Sequence, residues 1–203
     1  MRVLLLAEDP DRAAEIAGAL RGQGVSSVAH VRHGADLLAE IRRTRPDVVL
    51  VHADALEQDT LRQIGRVSSD DPRPIALFTQ EDDPLVIRSA VRSGVNAYVA
   101  RCLDTGRLKT VIEVAMARFE EEQELKKALE DSRLQLAQRK VIERAKGVVM
   151  KQRGMDEEQA YRLLRRLAMD RGKSLHEVAE TIVAADELLA DERHAHPKSA
   201  SRD

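Results

Sequence analysis

PDVVLVH, residues 46–52, is an opening proline and acid followed by four branched apolar residues in a row, Val48 to Val51. A strand with one wet face alternates apolar and polar side chains; one without alternation belongs in a parallel sheet covered on both sides. The same signature recurs at Val3-Leu4-Leu5-Leu6 and Ile75-Ala76-Leu77-Phe78, and more weakly at Val28-Ala29-His30-Val31 and Ala97-Tyr98-Val99-Ala100. Helical spacings lie between these runs, at Ala13-Ile16-Ala17-Leu20 and Leu37-Leu38-Ile41, and are ended by Gly22, Gly24 and Pro46. Alternating strands and helices predict an α/β domain over residues 1–110: a flavodoxin-like, doubly wound (βα)5 sheet whose crevice lies at the carboxyl ends of the strands.

The chain of 203 residues has room for that core and a smaller unit. A net charge of −2 excludes a uniformly basic surface but not a local basic patch. The single cysteine, Cys102, forms no internal disulfide and reads as a small buried filler, and the start MRVLLLAEDP lacks a basic leader. With no apolar run of membrane-spanning length, a cytoplasmic, soluble protein is expected. Phe78, Tyr98, Phe119 and Tyr161 are the whole aromatic set, too few for a series of base-stacking platforms or a large apolar cofactor pocket. No cofactor, metal or catalytic residue is expected; His194 and His196 have no further ligand near them in sequence.

From Leu108 to Arg153 there is no proline and only Gly147, which predicts one long helix. Leu108, Val111, Ile112, Ala115, Met116 and Phe119 are placed to pack on the sheet. Leu125, Leu129 and Leu136 then continue at coiled-coil spacing, with Ser132 in the seam. Two readings stand for residues 111–138: a seam that pairs two copies, or a solvated spacer carrying charges from Glu120 to Lys127. Beyond it, residues 139–190 read as a three-helix bundle. Gly154 closes the first helix, Asp156 with Gln159 opens the second, Gly172 closes it, and Ser174 with Glu177 opens the third. Val141, Ala145, Val148, Ala160, Leu163, Leu164, Leu167, Leu175, Val178, Ala179 and Ile182 form its expected core, and residues 191–203 read as a disordered tail.

The strand ends of the first domain resemble the response-regulator receiver family. The acids Glu8 and Asp9 follow the first strand, PDVVLVH is the third, Thr79 ends the fourth and Arg101 follows the fifth. The resemblance implies a phosphoryl-accepting carboxylate at the end of strand three, Mg²⁺-binding acids, and a hydroxyl and a lysine that read the modified state. Here the acceptor position holds His52 and the lysine position Arg101. An imidazole is a poor ligand for hard Mg²⁺, so the set Glu8, Asp9, His52, Thr79 and Arg101 is expected to be a vestigial pocket, with Asp54, two residues on in the loop, as the alternative acceptor.

Charge divides the bundle. Between Arg139 and Lys173 eleven cations face five acids, whereas the third helix up to Ala190 has four acids and no lysine or arginine. A helix-turn-helix protein sets such a third helix into the DNA major groove, where carboxylates are repelled. Cations on the first two helices suit a compact folded RNA instead, with a merely solvated charged face as the alternative. Lys140, Arg144, Gly147 and Lys151 form one stripe, Arg162 and Arg166 another, and Arg171 and Lys173 follow. Residues 142–183, through Ala145-Lys146-Gly147, Ala160-Tyr161-Leu164-Arg165, Ala168-Met169 and Val178-Ala179, resemble an ANTAR domain. That resemblance implies binding of paired hairpins in nascent leader mRNA, transcription antitermination and an active homodimer. It makes Lys146, Arg165, Lys151 and Arg166 the leading RNA contacts and Ala145, Ala160 and Ala168 close-packing positions. With its receiver, its long helix and the stretch from Pro72-Arg73-Pro74-Ile75 to Pro84, the chain is similar to nitrate-assimilation antiterminators of the NasT type. Those imply control by an inhibitory nitrate-sensing protein. The rivals are a conventional phosphorylated response regulator and a protein-binding adaptor.

Overall fold

The computed structural model describes residues 1–101 and 104–195. Cys102, His196 and the tail from His196 onward lie outside the described residues. The chain divides into two compact units, the first ending at Leu125 and the second beginning at Lys126.

In the first unit the elements alternate as the apolar runs require: β1 (Arg2–Ala7), α1 (Pro10–Gly22), β2 (Ser27–Val31), α2 (Leu37–Thr44), β3 (Val48–Ala53), α3 (Gln58–Asp70), β4 (Ile75–Thr79), α4 (Pro84–Ser93) and β5 (Ala97–Ala100). A 3-10 turn at Thr105–Arg107 leads into α5 (Leu108–Arg153). The sheet is parallel in the order β2-β1-β3-β4-β5. The pleat sends successive side chains to opposite faces, so Val3, Leu5, Val48 and Leu50 join Ile16, Leu20, Leu108, Ile112 and Ala115 of α1 and α5 in one core. Leu4, Leu6, Val49 and Val51 join Leu38, Ile41, Ile64, Val67 and Ala90 of α2, α3 and α4 in the other. Val111 and Met116 pack at the edge of the first core, and Phe119 borders a cavity with Pro46 and Pro74.

The second unit contains the end of α5, then α6 (Glu157–Arg171) and α7 (Leu175–Ala195). Asp156 caps α6 with the reciprocal box expected of it, its carboxylate accepting from the Gln159 amide at 2.8 Å. The Ser174 amide donates to Glu177 at 2.7 Å and the Glu177 amide to Ser174 Oγ at 3.2 Å, a second such box. Ala145, Ala160, Leu164, Ala168, Val178 and Ala179 are buried together, with Val141, Leu163, Leu167, Leu175 and Ile182 around them. Two positions differ from expectation. Val149, one turn after Ala145, is the buried valine in place of Val148, and Val183 is buried as well. Helix α7 continues to Ala195, past the expected start of the tail at Asp191, because residues 191–195 hold no glycine or proline to stop it.

Gly94 is the backbone position with least latitude. It ends α4 at φ 107°, and a Cβ there would lie 1.8 Å from Ser68 Oγ. That hydroxyl donates to the Ser93 carbonyl at 3.0 Å, tying α3 to the end of α4. Gly94→Ala therefore combines a strained dihedral with a clash, and is expected to cost about 1–3 kcal/mol or more. Chemical denaturation checks this; removing the hydroxyl as well, in Ser68→Ala/Gly94→Ala, should restore only part, since the positive φ remains.

Candidate nucleic-acid interface and receiver-like pocket

At the carboxyl ends of β1 and β3, Glu8, Asp9, Arg12, His52, Ala53 and Asp54 line a cavity of about 250 Å³. Asp9 is already engaged as the cap of α1, accepting from the Asp11 amide at 2.9 Å. His52 closes β3 and is 7% exposed. Burial holds its imidazole below the ordinary histidine value; the Asp54 and Asp9 carboxylates pull against this, and Arg12 adds to it. The surroundings of the acceptor position thus favour the uncharged ring. Thr79 sits beside the cavity, its hydroxyl donating to the Asp54 carbonyl at 3.2 Å and accepting from the Glu81 amide at 3.2 Å. Tyr98 donates to the Glu81 carbonyl at 2.9 Å, so both hydroxyls fasten the loop that follows β4.

Arg101 does not join this group. It adopts a left-handed backbone conformation with φ 60°, and its exposed guanidinium pairs with Asp82. Having taken a partner on the β4–α4 loop, it is not among the residues lining the cavity. The cation that does line it, Arg12, escaped the sequence reading, because nothing in the pattern of α1 distinguishes one surface arginine from another. Among the described residues no group of three or more histidine, cysteine or acidic side chains is placed to hold a metal ion.

On the second unit the proposed contacts divide into free and engaged. Lys140, Lys151, Arg165, Arg166, Arg171 and Lys173 are exposed and hold no ion pair among the described residues. Arg144 pairs with Glu187 of α7 at 2.7 Å and Arg162 with Glu158, one turn back on α6. The acidic third helix therefore does not keep its charge entirely apart from the basic stripe on α5. Gly147 is exposed, with nothing within 4 Å of where a Cβ would stand.

Lys146 corrects the expectation of a surface cation. Its side chain is 9% exposed and its ammonium is clamped at 2.7 Å by both Glu143, on α5, and Glu157, in the first turn of α6. Bonds from Glu143 and then Glu157 raise the lysine pKa above its ordinary value, and Lys146 in turn lowers that of Glu157. An ammonium so held ties α5 to α6 and has little of its surface left for phosphate. The Glu143–Lys146 spacing of three residues is a visible signal for half of this clasp; the Glu157 half depends on the turn at Gly154. Leu125, Leu129 and Leu136 are 66%, 52% and 58% exposed, and Leu134, outside the expected seam, is 58% exposed.

Lys146→Ala is expected to lower the unfolding midpoint of the second unit, because two carboxylates lose their shared cation and α6 its tie to α5. Thermal denaturation followed by circular dichroism reads this; a midpoint equal to that of the parent would make the clasp unimportant to folding.

The family model described as ANTAR domain matches residues 124–183, a longer span than the resemblance over 142–183. The transcriptional regulatory protein PdtaR of Mycobacterium tuberculosis is 27% identical over 182 residues, covering 90% of this chain and 89% of that protein. The nitrate regulatory protein of Klebsiella oxytoca is 35% identical over 80 residues, 39% of this chain but only 20% of that protein. Among solved structures, the signal receiver domain of a Luxo repressor protein from Vibrio parahaemolyticus superposes with a TM-score of 0.52 at 18% identity, covering 61% of this chain and 95% of that one, which speaks to the fold alone. Residues 124–183 match the ANTAR domain family, behind an N-terminal unit with the parallel five-stranded fold of a receiver domain.

Proposed function

We propose that this protein is a transcription antitermination regulator that binds paired hairpins in nascent leader mRNA through its second unit. The observation that carries this reading is the ANTAR match over a unit whose exposed cations Lys151, Arg165 and Arg166 hold no carboxylate partner among the described residues. Unpaired cations are available to displace condensed counterions from phosphate, whereas paired ones must first give up their partners. Lys140, Arg171 and Lys173 extend the contact surface; Arg144 and Arg162 join only by leaving Glu187 and Glu158. Lys146 is moved from the contact set to the scaffold. DNA is disfavoured as the ligand by the carboxylates of α7, and no cofactor takes part.

Control in this reading runs through the receiver-like domain without a phosphoryl group. His52 offers no carboxylate to accept one, and Arg101 is turned to Asp82. An inhibitory partner, of the nitrate-sensing type implied by the resemblance to NasT-type antiterminators, would act by mass action. The partial likeness to a nitrate regulatory protein supports this context. The active form is a homodimer joined along Leu125, Leu129 and Leu136, so that two bundles engage two hairpins with a gain from effective concentration. The protein works in the cytoplasm and catalyses no reaction.

Binding of a fluorescent two-hairpin RNA, titrated from low to high salt, tests the function. A steep loss of affinity with salt is expected, and Arg165→Ala/Arg166→Ala should flatten the log–log slope by about two. An unchanged slope in a double variant with native circular dichroism would place the RNA elsewhere. Incubation with acetyl phosphate and Mg²⁺ should leave the intact mass unchanged; an added phosphoryl group on Asp54 or His52 would return the protein to the conventional response regulators.

A further inference from the structure

The Lys146 clasp leaves beside it an open cleft of about 430 Å³, lined by Lys146, Glu157, Glu158 and Tyr161. Tyr161 is the unusual member. Of the four aromatic residues it alone is in the second unit, it is 42% exposed, and its hydroxyl makes no hydrogen bond among the described residues. The rest of that unit's core is aliphatic, so the tyrosine is not needed to fill it. Along α6 the positions four residues apart, Glu157, Tyr161, Arg165 and Met169, share one face, neighbours being about 5–6 Å apart at Cβ. All four are exposed, Met169 to 75%.

The cleft itself cannot be one more phosphate site. Glu157 and Glu158 border the cleft, and although each bonds a cation through one carboxylate oxygen, to Lys146 and Arg162 respectively, the other oxygen of each has no partner among the described residues. An anionic phosphate would be repelled from these acceptors. A neutral nucleobase would not: its face stacks on the phenol ring, and its amino group donates to a carboxylate oxygen, which only accepts. Arg165, one turn on and outside any ion pair among the described residues, is placed to hold the phosphate of the same nucleotide while its base lies over Tyr161.

We propose that Tyr161 is the stacking platform for one unpaired, amino-bearing base of the RNA loop, with Glu157 and Glu158 accepting from its amino group and Lys146 holding Glu157 in position. This rests on the RNA-binding reading and names which part of the RNA the cleft takes. It divides the labour on α6: arginines for backbone, tyrosine and glutamates for a base. Uracil, which carries no amino group and flanks its one N–H with two carbonyl oxygens, is rejected by the carboxylates. Because Lys146 orients Glu157 and leaves the backbone contacts untouched, it is a positioning residue for base choice.

The test uses full-length protein and stem-loop RNAs that share one stem, recovered by the parent protein from a pool with a randomised loop. Each loop base of the recovered RNA is replaced in turn by an abasic site and by uracil, and binding is read by fluorescence anisotropy. For the parent, one loop position is expected to show a loss of roughly 5- to 150-fold on base removal, the range of a single base–aromatic stack, and a loss on substitution by uracil. Tyr161→Ala should lose a similar factor on the intact RNA and nothing further on the RNA abasic at that position, while Tyr161→Phe, which keeps the ring, binds like the parent. Glu158→Gln should weaken the discrimination against uracil. Tyr161→Ala binding like the parent overturns the inference, as does a loss that is the same for every abasic RNA or a Tyr161→Phe variant as weak as Tyr161→Ala. If the parent recovers no RNA from the pool in a salt-dependent manner, the RNA-binding reading and this inference fall together; if it does and Tyr161 is silent, only the inference falls.

Discussion

The constraint on which both halves of the molecule depend is that a single helix must contribute to two cores. At its start α5 buries Leu108, Ile112 and Ala115 against β1 and β3; near its end it buries Ala145 and Val149 against α6 and α7. Between these anchors the exposed leucines contribute nothing to either core. A helix of 46 residues with so long an unburied middle draws its stability from the packing at its two ends, because propensity alone sustains isolated helices only marginally. The absence of proline from Leu108 to Arg153 is therefore a requirement of the architecture: one proline would remove a backbone hydrogen bond and cost about 3 kcal/mol.

Much of the fold is legible in the sequence because its signals are local. Four consecutive β-branched or aliphatic residues identify β3 and β1, the caps at Asp156 and Ser174 set where α6 and α7 begin, and the lack of breakers defines α5 to the residue. The places where reading fell short are those where a tertiary neighbour decides. Val148 and Val149 are equally apolar, and only the azimuth of α6 around α5 selects Val149. Arg101 follows the strand at the position where a receiver keeps its lysine, yet a long side chain with a carboxylate in reach at Asp82 turns to that carboxylate. Lys146 misled in the same way: in a stripe of cations it looks like every other, and only the approach of Glu157 across the Gly154 turn draws it inward.

A count of cations overstates the charge a surface offers, since Lys146, Arg144 and Arg162 are neutralised in place by Glu143, Glu157, Glu187 and Glu158. What remains, Lys151, Arg165 and Arg166 with Lys140, Arg171 and Lys173, is a smaller set, each member exposed and outside any ion pair among the described residues. The acids are not simply a subtraction. Ion pairs along α5 and α6 hold the side chains that border the Tyr161 cleft, so the same carboxylates that reduce the net charge give the surface local acceptors that a uniformly basic helix lacks.

The receiver-like unit shows the complementary case, a crevice whose geometry persists while its chemistry has changed. Strand order, the acids after β1 and the threonine after β4 are all retained, yet the group at the end of β3 is a buried imidazole whose surroundings favour its uncharged form. A carboxylate there would add a negative charge beside Glu8, Asp9 and Asp54 and would need a bound cation to be tolerated. A neutral His52 removes that demand, and Arg12 supplies a fixed positive charge at the same cavity. Three carboxylates still face that one arginine, which also pairs with Glu15, while Thr79 and Tyr98 are bonded to the loop after β4. In the proposed reading, a switch built on such a pocket is driven by something that binds the loop or the helices around it, and that reading therefore gives control to a protein partner.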